Sequence, residues 1–178
     1  MKLKSTEPIK ELGKFFIYID SDKLGYPDMI MISGDYYDAH YDGNELLLGI
    51  ETELGLRGTY YAQPDYETSG SNIITIDPIQ AVNLNLTKED IVEIYVYERQ
   101  LCVEIELRPR SNIDIEFLEE EIRNMRVISV GHTINLEHDN LFVYVDVMSV
   151  GNGLSWGSLS NEMDEEIPLY ILPALETK

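Results

Sequence analysis

The sequence predicts a sheet-rich α+β chain in two successive subdomains. Three observations carry that expectation. Short apolar runs separated by turn residues dominate the first hundred residues, with one short helix among them. Residues 112–148 then read as an extended lead-in, an amphipathic helix and a strand–turn–strand hairpin. Between the two patterns, Arg108-Pro109-Arg110-Ser111 interrupts with a proline and a change of charge. The expected layout is a frayed amino terminus over 1–12, a barrel-like subdomain over 13–108, a helix-and-strand subdomain over 111–172, and a tail over 173–178.

In the second subdomain Ile115, Leu118, Ile122 and Met125 recur three or four apart and line one helical face. Glu116, Glu119, Glu120 and Glu121 fall largely elsewhere. Acidic charge early in the helix and Arg123 and Arg126 near its end suit the helix dipole. Residues 128–136 read as a strand, Glu137-His138-Asp139-Asn140 as a turn, and residues 141–148 as the returning strand, in which Leu141, Val143, Val145 and Val147 alternate with Phe142, Tyr144 and Asp146.

In the first subdomain, Phe15-Phe16-Ile17-Tyr18-Ile19 is an apolar strand, and Asp20-Ser21-Asp22 could cap a helical turn toward Leu24. Met29-Ile30-Met31-Ile32 reads as a buried strand. Residues 33–43 hold two glycines and several aspartates and read as a turn region carrying Tyr36, Tyr37 and Tyr41. Leu46-Leu47-Leu48 fits either strand or helix, with Gly49, Gly55 and Gly58 favouring short strands. Tyr60-Tyr61-Ala62 continues as strand, 64–72 is a loop, and Ile73-Ile74-Thr75-Ile76 is a strand. Asp77 followed by Pro78 is a helix start signal. Residues 91–97 and 101–107 are expected to form a hairpin, 151–158 a flexible glycine-serine loop, and 167–172 an apolar segment that docks. Many short strands with one short helix suit a small twisted barrel.

Composition narrows the function. The formal net charge is -20, from 33 acidic against 13 basic residues. Nucleic acids and anionic membranes are bound through Lys and Arg, so neither is an expected partner. No apolar run approaches the ~20 residues of a membrane helix, and residues 1–7 lack the apolar core of a secretory signal. Cys102 is the single cysteine, which excludes an internal disulfide and a four-thiolate zinc site and suits a reducing, intracellular compartment. His40, His132 and His138 lack metal-ligand spacing, and no glycine loop fits nucleotide phosphates. Acidic Glu104 and Glu106 near Cys102 are expected to raise its thiol pKa, the wrong direction for a nucleophile. Gly70-Ser71 is similar to the self-cleaving pair of pyruvoyl decarboxylases, but such pairs are common in loops. The expectation is a non-enzyme without cofactor or metal.

The 12 tyrosines are the more suggestive feature. Tyrosine supplies large contact area with a polar tip and favours protein interfaces. Tyr36, Tyr37, Tyr41, Tyr60 and Tyr61 are the candidate partner-binding residues, with Tyr66 nearby, whereas Tyr95 and Tyr97 are expected to dress the barrel exterior.

The order of motifs resembles a known family. Ile122-Arg123-Asn124-Met125, then Ile128-Ser129-Val130-Gly131-His132-Thr133-Ile134, then Phe142-Val143-Tyr144-Val145-Asp146-Val147 is similar to the second half of the amino-terminal domain of the ubiquitin fusion degradation protein 1 family. Upstream, Gly13-Lys14, Tyr26-Pro27 and Pro78 through Leu84 and Leu86 fall in family order. Downstream, Met163-Asp164 through Pro168-Leu169-Tyr170 looks like the acidic segment that ends the domain. Departures are His132 in place of the usual aspartate, an insertion over 151–158, and a first barrel strand before Gly13 that is either missing or disguised in residues 1–12. The resemblance implies a double-psi β-barrel followed by a small α/β roll. It further implies a ubiquitin-binding adaptor, cytoplasmic and nuclear, that engages ubiquitin and polyubiquitin chains. With the nuclear protein localisation 4 homologue, such an adaptor delivers ubiquitylated proteins to a valosin-containing-type AAA ATPase for extraction and proteasomal degradation, including ER-associated degradation. The alternative is an interaction module of the same fold without ubiquitin binding.

Overall fold

The computed structural model describes residues 7–20, 26–159 and 167–174. The chain divides into two compact units, Glu7–Glu98 and the part from Arg99 onward. The division therefore falls ahead of the Arg108–Ser111 interruption.

The first unit is a closed six-stranded barrel. Its strands are β1 (Lys10–Ile19), β2 (Met29–Ser33), β3 (Leu47–Glu51), β4 (Arg57–Asp65), β5 (Ile73–Ile76) and β6 (Ile91–Tyr97). They close in the order β1-β5-β2-β4-β3-β6. The β1–β5 and β2–β4 pairs are parallel and the other four antiparallel. Strand alternation sorts each face. Phe15 and Ile17 of β1 are buried while Phe16 and Tyr18 are exposed, and Ile30, Ile32, Leu48, Ile50, Ile74, Ile76, Val92 and Ile94 complete the interior. Gly13 has a φ of +102 where the β1–β6 register shifts, a bulge that glycine accommodates.

Two helices and a 3-10 turn join the strands: α1 (Gly34–His40), the 3-10 turn Tyr66–Thr68, and α2 (Pro78–Asn83). The Asp77-Pro78 start signal is realised in full. The Asp77 carboxylate accepts from the Gln80 backbone N–H at 2.7 Å, and Gln80 Oε1 accepts from the Asp77 N–H at 2.9 Å. Gln80 is buried, and its Nε2 donates to the carbonyls of Pro27 and Met29, each at 2.8 Å. The short helix is thereby fastened to the lead-in of β2.

The second unit holds β7 (Ile105–Pro109), α3 (Ile115–Arg123), β8 (Val127–Ser129), β9 (Thr133–His138), β10 (Leu141–Ser149), β11 (Trp156–Ser158) and β12 (Leu169–Ile171). One sheet runs β12-β7-β10-β9 and a second pairs β11 with β8. Asp114 caps α3 by accepting from the N–H groups of Glu116 and Phe117. Leu118, Ile122 and Met125 are buried with Leu107, Val143, Val145 and Val147, as the helical period requires, whereas Ile115 at the first turn stays exposed. The segment from Ile167 docks through β12, which runs parallel to β7. Asp139 and Asn140 both have positive φ and form the two-residue hairpin turn between β9 and β10.

Several expectations are corrected. Residues 91–97 and 101–107 do not form a hairpin: both edges of β6 are taken by β1 and β3, and β7 pairs with β10 and β12 instead. The amino-terminal stretch is not frayed at Lys10–Leu12, which belong to β1; residues 1–6 lie outside the described residues. The turn region over 33–43 contains α1. The loop over 64–72 begins later, because β4 runs through Pro64 to Asp65. There β3 no longer lies alongside, so the missing proline N–H leaves no ladder bond unmade. The strand over 128–136 is broken at Gly131, φ +83, into β8 and β9, which join different sheets. The loop over 151–158 ends in β11, with Trp156 buried. The expected cap at Asp20-Ser21-Asp22 and the acidic segment that starts at Met163-Asp164 fall on or run into residues outside those described. Among the described residues no helix is long and apolar enough to cross a membrane.

Replacing Ile122 with Ala should lower stability by about 2–5 kcal/mol, as buried large-to-small changes do. Ile115→Ala, at an exposed position, should stay within about 0.5 kcal/mol. Urea unfolding of both variants checks the assignment; equal effects would contradict it.

Candidate partner-binding surface

The sequence-singled tyrosines divide sharply. Tyr60 and Tyr61 are buried, at 3% and 5% exposure. Tyr60 lies in the barrel core, where burial first and the Asp77 charge second push its hydroxyl pKa up. Neither can offer area to a partner, so both are withdrawn from the candidate set. β4 is nearly all interior at this point, and adjacent tyrosines gave no alternation from which to read a buried side.

Tyr36, Tyr37 and Tyr41 come together on α1 and its C-cap. Tyr36 points inward: its ring meets Phe15 edge-on at 4.8 Å between centroids, and its hydroxyl donates to Asn72 Oδ1 at 3.0 Å. Tyr37 packs partly against the barrel core and stacks on Tyr41, with centroids 5.0 Å apart and planes 16° from parallel. The Tyr41 N–H donates to the Tyr37 carbonyl at 2.8 Å, which carries the helical spacing through the cap. Tyr41 keeps 41% exposure.

Tyr66 clamps the helix from outside. Its ring lies over Gly34, where an added Cβ would run into it, and its hydroxyl donates to Asp38 Oδ1 at 2.8 Å. Ser33 fixes the segment that carries Tyr66. Its Oγ donates to the Ser71 carbonyl and accepts from the Ile73 N–H and the Thr68 hydroxyl. Asp35, Asp38 and Asp42 are exposed along α1 and its cap. The result is an aromatic surface bordered by carboxylates. The sequence reading named Tyr66 only as a neighbour of the candidate set and missed Asp38. The signal was present in the four-residue spacing of Tyr37 and Tyr41 beside that of Asp38 and Asp42.

Elsewhere the chemistry is sparse. Cys102 is buried and its thiol is pushed up to about 12 by burial, not by the acidic neighbours expected from the sequence; its Sγ sits against Gly157. A cleft of about 340 Å³ beside Glu53, Glu89 and Asp90 is lined without histidine, cysteine or a basic residue. Among the described residues no cluster of three or more His, Cys, Asp or Glu is placed to hold a metal. Gly70 and Ser71 lie in the exposed loop after the 3-10 turn, and it is the Ser71 carbonyl, not that of Gly70, that Ser33 engages. Tyr95 and Tyr97 are half-buried; Tyr95 donates to Glu93 at 2.6 Å, and Tyr97 lies over Gly49. No protein-family model matches the sequence, and no curated protein matches it.

The hydrogen bond from Tyr66 to Asp38 holds the Tyr66 hydroxyl above the usual tyrosine value, because it stabilises the neutral phenol. Asp38→Ala should bring that titration back toward about 10. Ultraviolet difference titration, with Tyr66→Phe to assign the signal, checks this; an unchanged Tyr66 titration in Asp38→Ala would contradict the clamp.

Proposed function

We propose that this chain is a protein-interaction module of the ubiquitin-dependent degradation machinery, and that it binds ubiquitin and polyubiquitin chains. The observation that carries the reading is the exposed aromatic surface of α1, where Tyr37, Tyr41 and Tyr66 are bordered by Asp35, Asp38 and Asp42. Ubiquitin's recognition face is apolar and rimmed by basic residues, so an acidic, tyrosine-bearing surface complements it in both charge and polarity. The formal charge of -20 strengthens attraction at long range.

The finer fold follows the same reading. A mixed barrel with two parallel pairs between strands not consecutive in sequence supports a double-psi β-barrel. A helix buried against a four-stranded sheet supports an α/β roll for the second unit. The ordered motifs that resemble the ubiquitin fusion degradation protein 1 family supply the rest: an adaptor acting in cytoplasm and nucleus, without catalysis of its own, with the nuclear protein localisation 4 homologue and a valosin-containing-type AAA ATPase as partners. The burial of Tyr60 and Tyr61 favours a second reading, a module of the same fold that binds another protein, because it shrinks the aromatic area on offer.

Single-site affinity for ubiquitin should be weak, on the order of 0.1–1 mM, since a small contact barely offsets the cost of association. Polyubiquitin should bind more tightly if two surfaces engage one chain. Salt should weaken binding as the Debye length falls from about 10 Å at 0.1 M to about 3 Å at 1 M. Nuclear magnetic resonance titration with mono- and polyubiquitin at both salt concentrations is the test. Absence of shift changes at millimolar ligand would reject ubiquitin as the partner and leave the second reading.

A further inference from the structure

On the basis of the interaction reading above, we infer that the surface of α1 seats an arginine side chain of the partner. The guanidinium lies on the open face of the Tyr41 ring, with its N–H fork turned to the Asp38 carboxylate. Four observations point there. Tyr37 stacks on Tyr41 at a nearly parallel 16°, and Tyr41 nevertheless keeps 41% exposure, so ring area is left for a partner. Asp38 lies three residues before Tyr41 in the helical path, so the carboxylate and the ring are surface neighbours. Both groups are held in advance: Asp38 by the Tyr66 hydroxyl at 2.8 Å, and Tyr41 by the stack on Tyr37. Finally, Tyr41 is the C-cap of α1, where the helix's carbonyl end favours a cation. Burial first and the Lys10 charge second lower the pKa of His40. His40 falls four residues after Tyr36, on the stripe turned toward the barrel rather than on that of Asp38 and Tyr41.

The chemistry selects arginine over lysine. A guanidinium is planar, so it can stack flat on a tyrosine ring and still direct two N–H groups sideways to a carboxylate. An ammonium is a hydrated point charge; it can satisfy Asp38 or approach the ring, with less gained by doing both. An acidic surface of this net charge attracts any cation, so affinity for basic peptides in general says nothing about the seat. The discriminating quantity is the ratio of arginine to lysine affinity.

The test titrates the full chain with two capped tripeptides, glycine-arginine-glycine and glycine-lysine-glycine, following the Tyr37 and Tyr41 ring resonances and the α1 amides. The arginine peptide is expected to bind about two- to five-fold more tightly, the range set by an exposed cation–π contact. Tyr41→Leu should remove that preference while leaving residual binding of both peptides, and Asp38→Asn should weaken the arginine peptide more than the lysine one. Both positions are exposed, and an unchanged amide spectrum away from α1 verifies that each variant is folded. Equal affinity for the two peptides, or shifts spread over the acidic surface without a maximum at α1, would overturn the seat. A second arm uses ubiquitin and ubiquitin with its arginines replaced by lysine. Loss of affinity on replacement supports the seat. Equal binding of both ubiquitins at α1 overturns the seat and leaves the proposed function standing. Arginine preference with the tripeptides but no binding of either ubiquitin rejects ubiquitin as the partner and leaves the seat standing.

Discussion

Closure of the barrel rests on β6. It pairs with β1 along one edge, from Lys10↔Val96 to Phe16↔Ile91, and with β3 along the other, from Leu47↔Tyr97 to Glu51↔Glu93. A sheet of this composition left open between β1 and β3 would expose two edges of unpaired backbone, each able to template aggregation. Closed, it presents one continuous interior in which Phe15, Ile30, Ile32, Leu48, Ile74 and Ile94 are fully shielded. The bulge at Gly13 lets the long β1 bend around that interior while it pairs with β5 and β6 on its two sides. Because both edges of β6 are consumed, the chain that follows cannot add to the barrel, and Arg99 onward forms a unit of its own.

The candidate surface is a by-product of the same closure. α1 leaves directly from the end of β2, and its inward side chain, Tyr36, meets Phe15 of β1. The loop after β4 returns over it, tied down by the Ser33 hydroxyl, and brings the Tyr66 ring onto Gly34. A seven-residue helix is not stable alone. Here it is held from within by the barrel and from outside by Tyr66, which leaves Tyr41 and three aspartates facing solvent. A rigid aromatic contact bordered by charge loses little conformational entropy on binding, which suits recognition by a small area.

Local signals were legible and non-local ones were not. The period of Leu118, Ile122 and Met125, and the Asp77-Pro78 start, identify α3 and α2 because the information lies within a few residues. The β9–β10 hairpin announces itself through alternation on either side of Asp139-Asn140. The barrel order could not be read this way: Phe16 meets Ile73, and Met29 meets Tyr61, across long intervening chain. α1 was hidden because Gly34, Asp35 and Asp38 are turn formers by propensity, and the packing that holds the segment as a helix comes from β2, β4, Phe15 and Tyr66, most of it remote in sequence. The candidate site was half legible for the same reason. Tyrosine count pointed to the right part of the chain, but only the tertiary fold separates buried Tyr60 and Tyr61 from exposed Tyr41 and Tyr66.

The proposed partner docks on the surface built by α1 and Tyr66. Hydrogen exchange of the chain with and without saturating polyubiquitin measures it most directly, because exchange reports each backbone segment separately. Docking there should slow exchange over residues 34–42 and 66–68 and leave residues 105–149 unchanged. Protection confined to the unit that begins at Arg99, with none on α1, would contradict it.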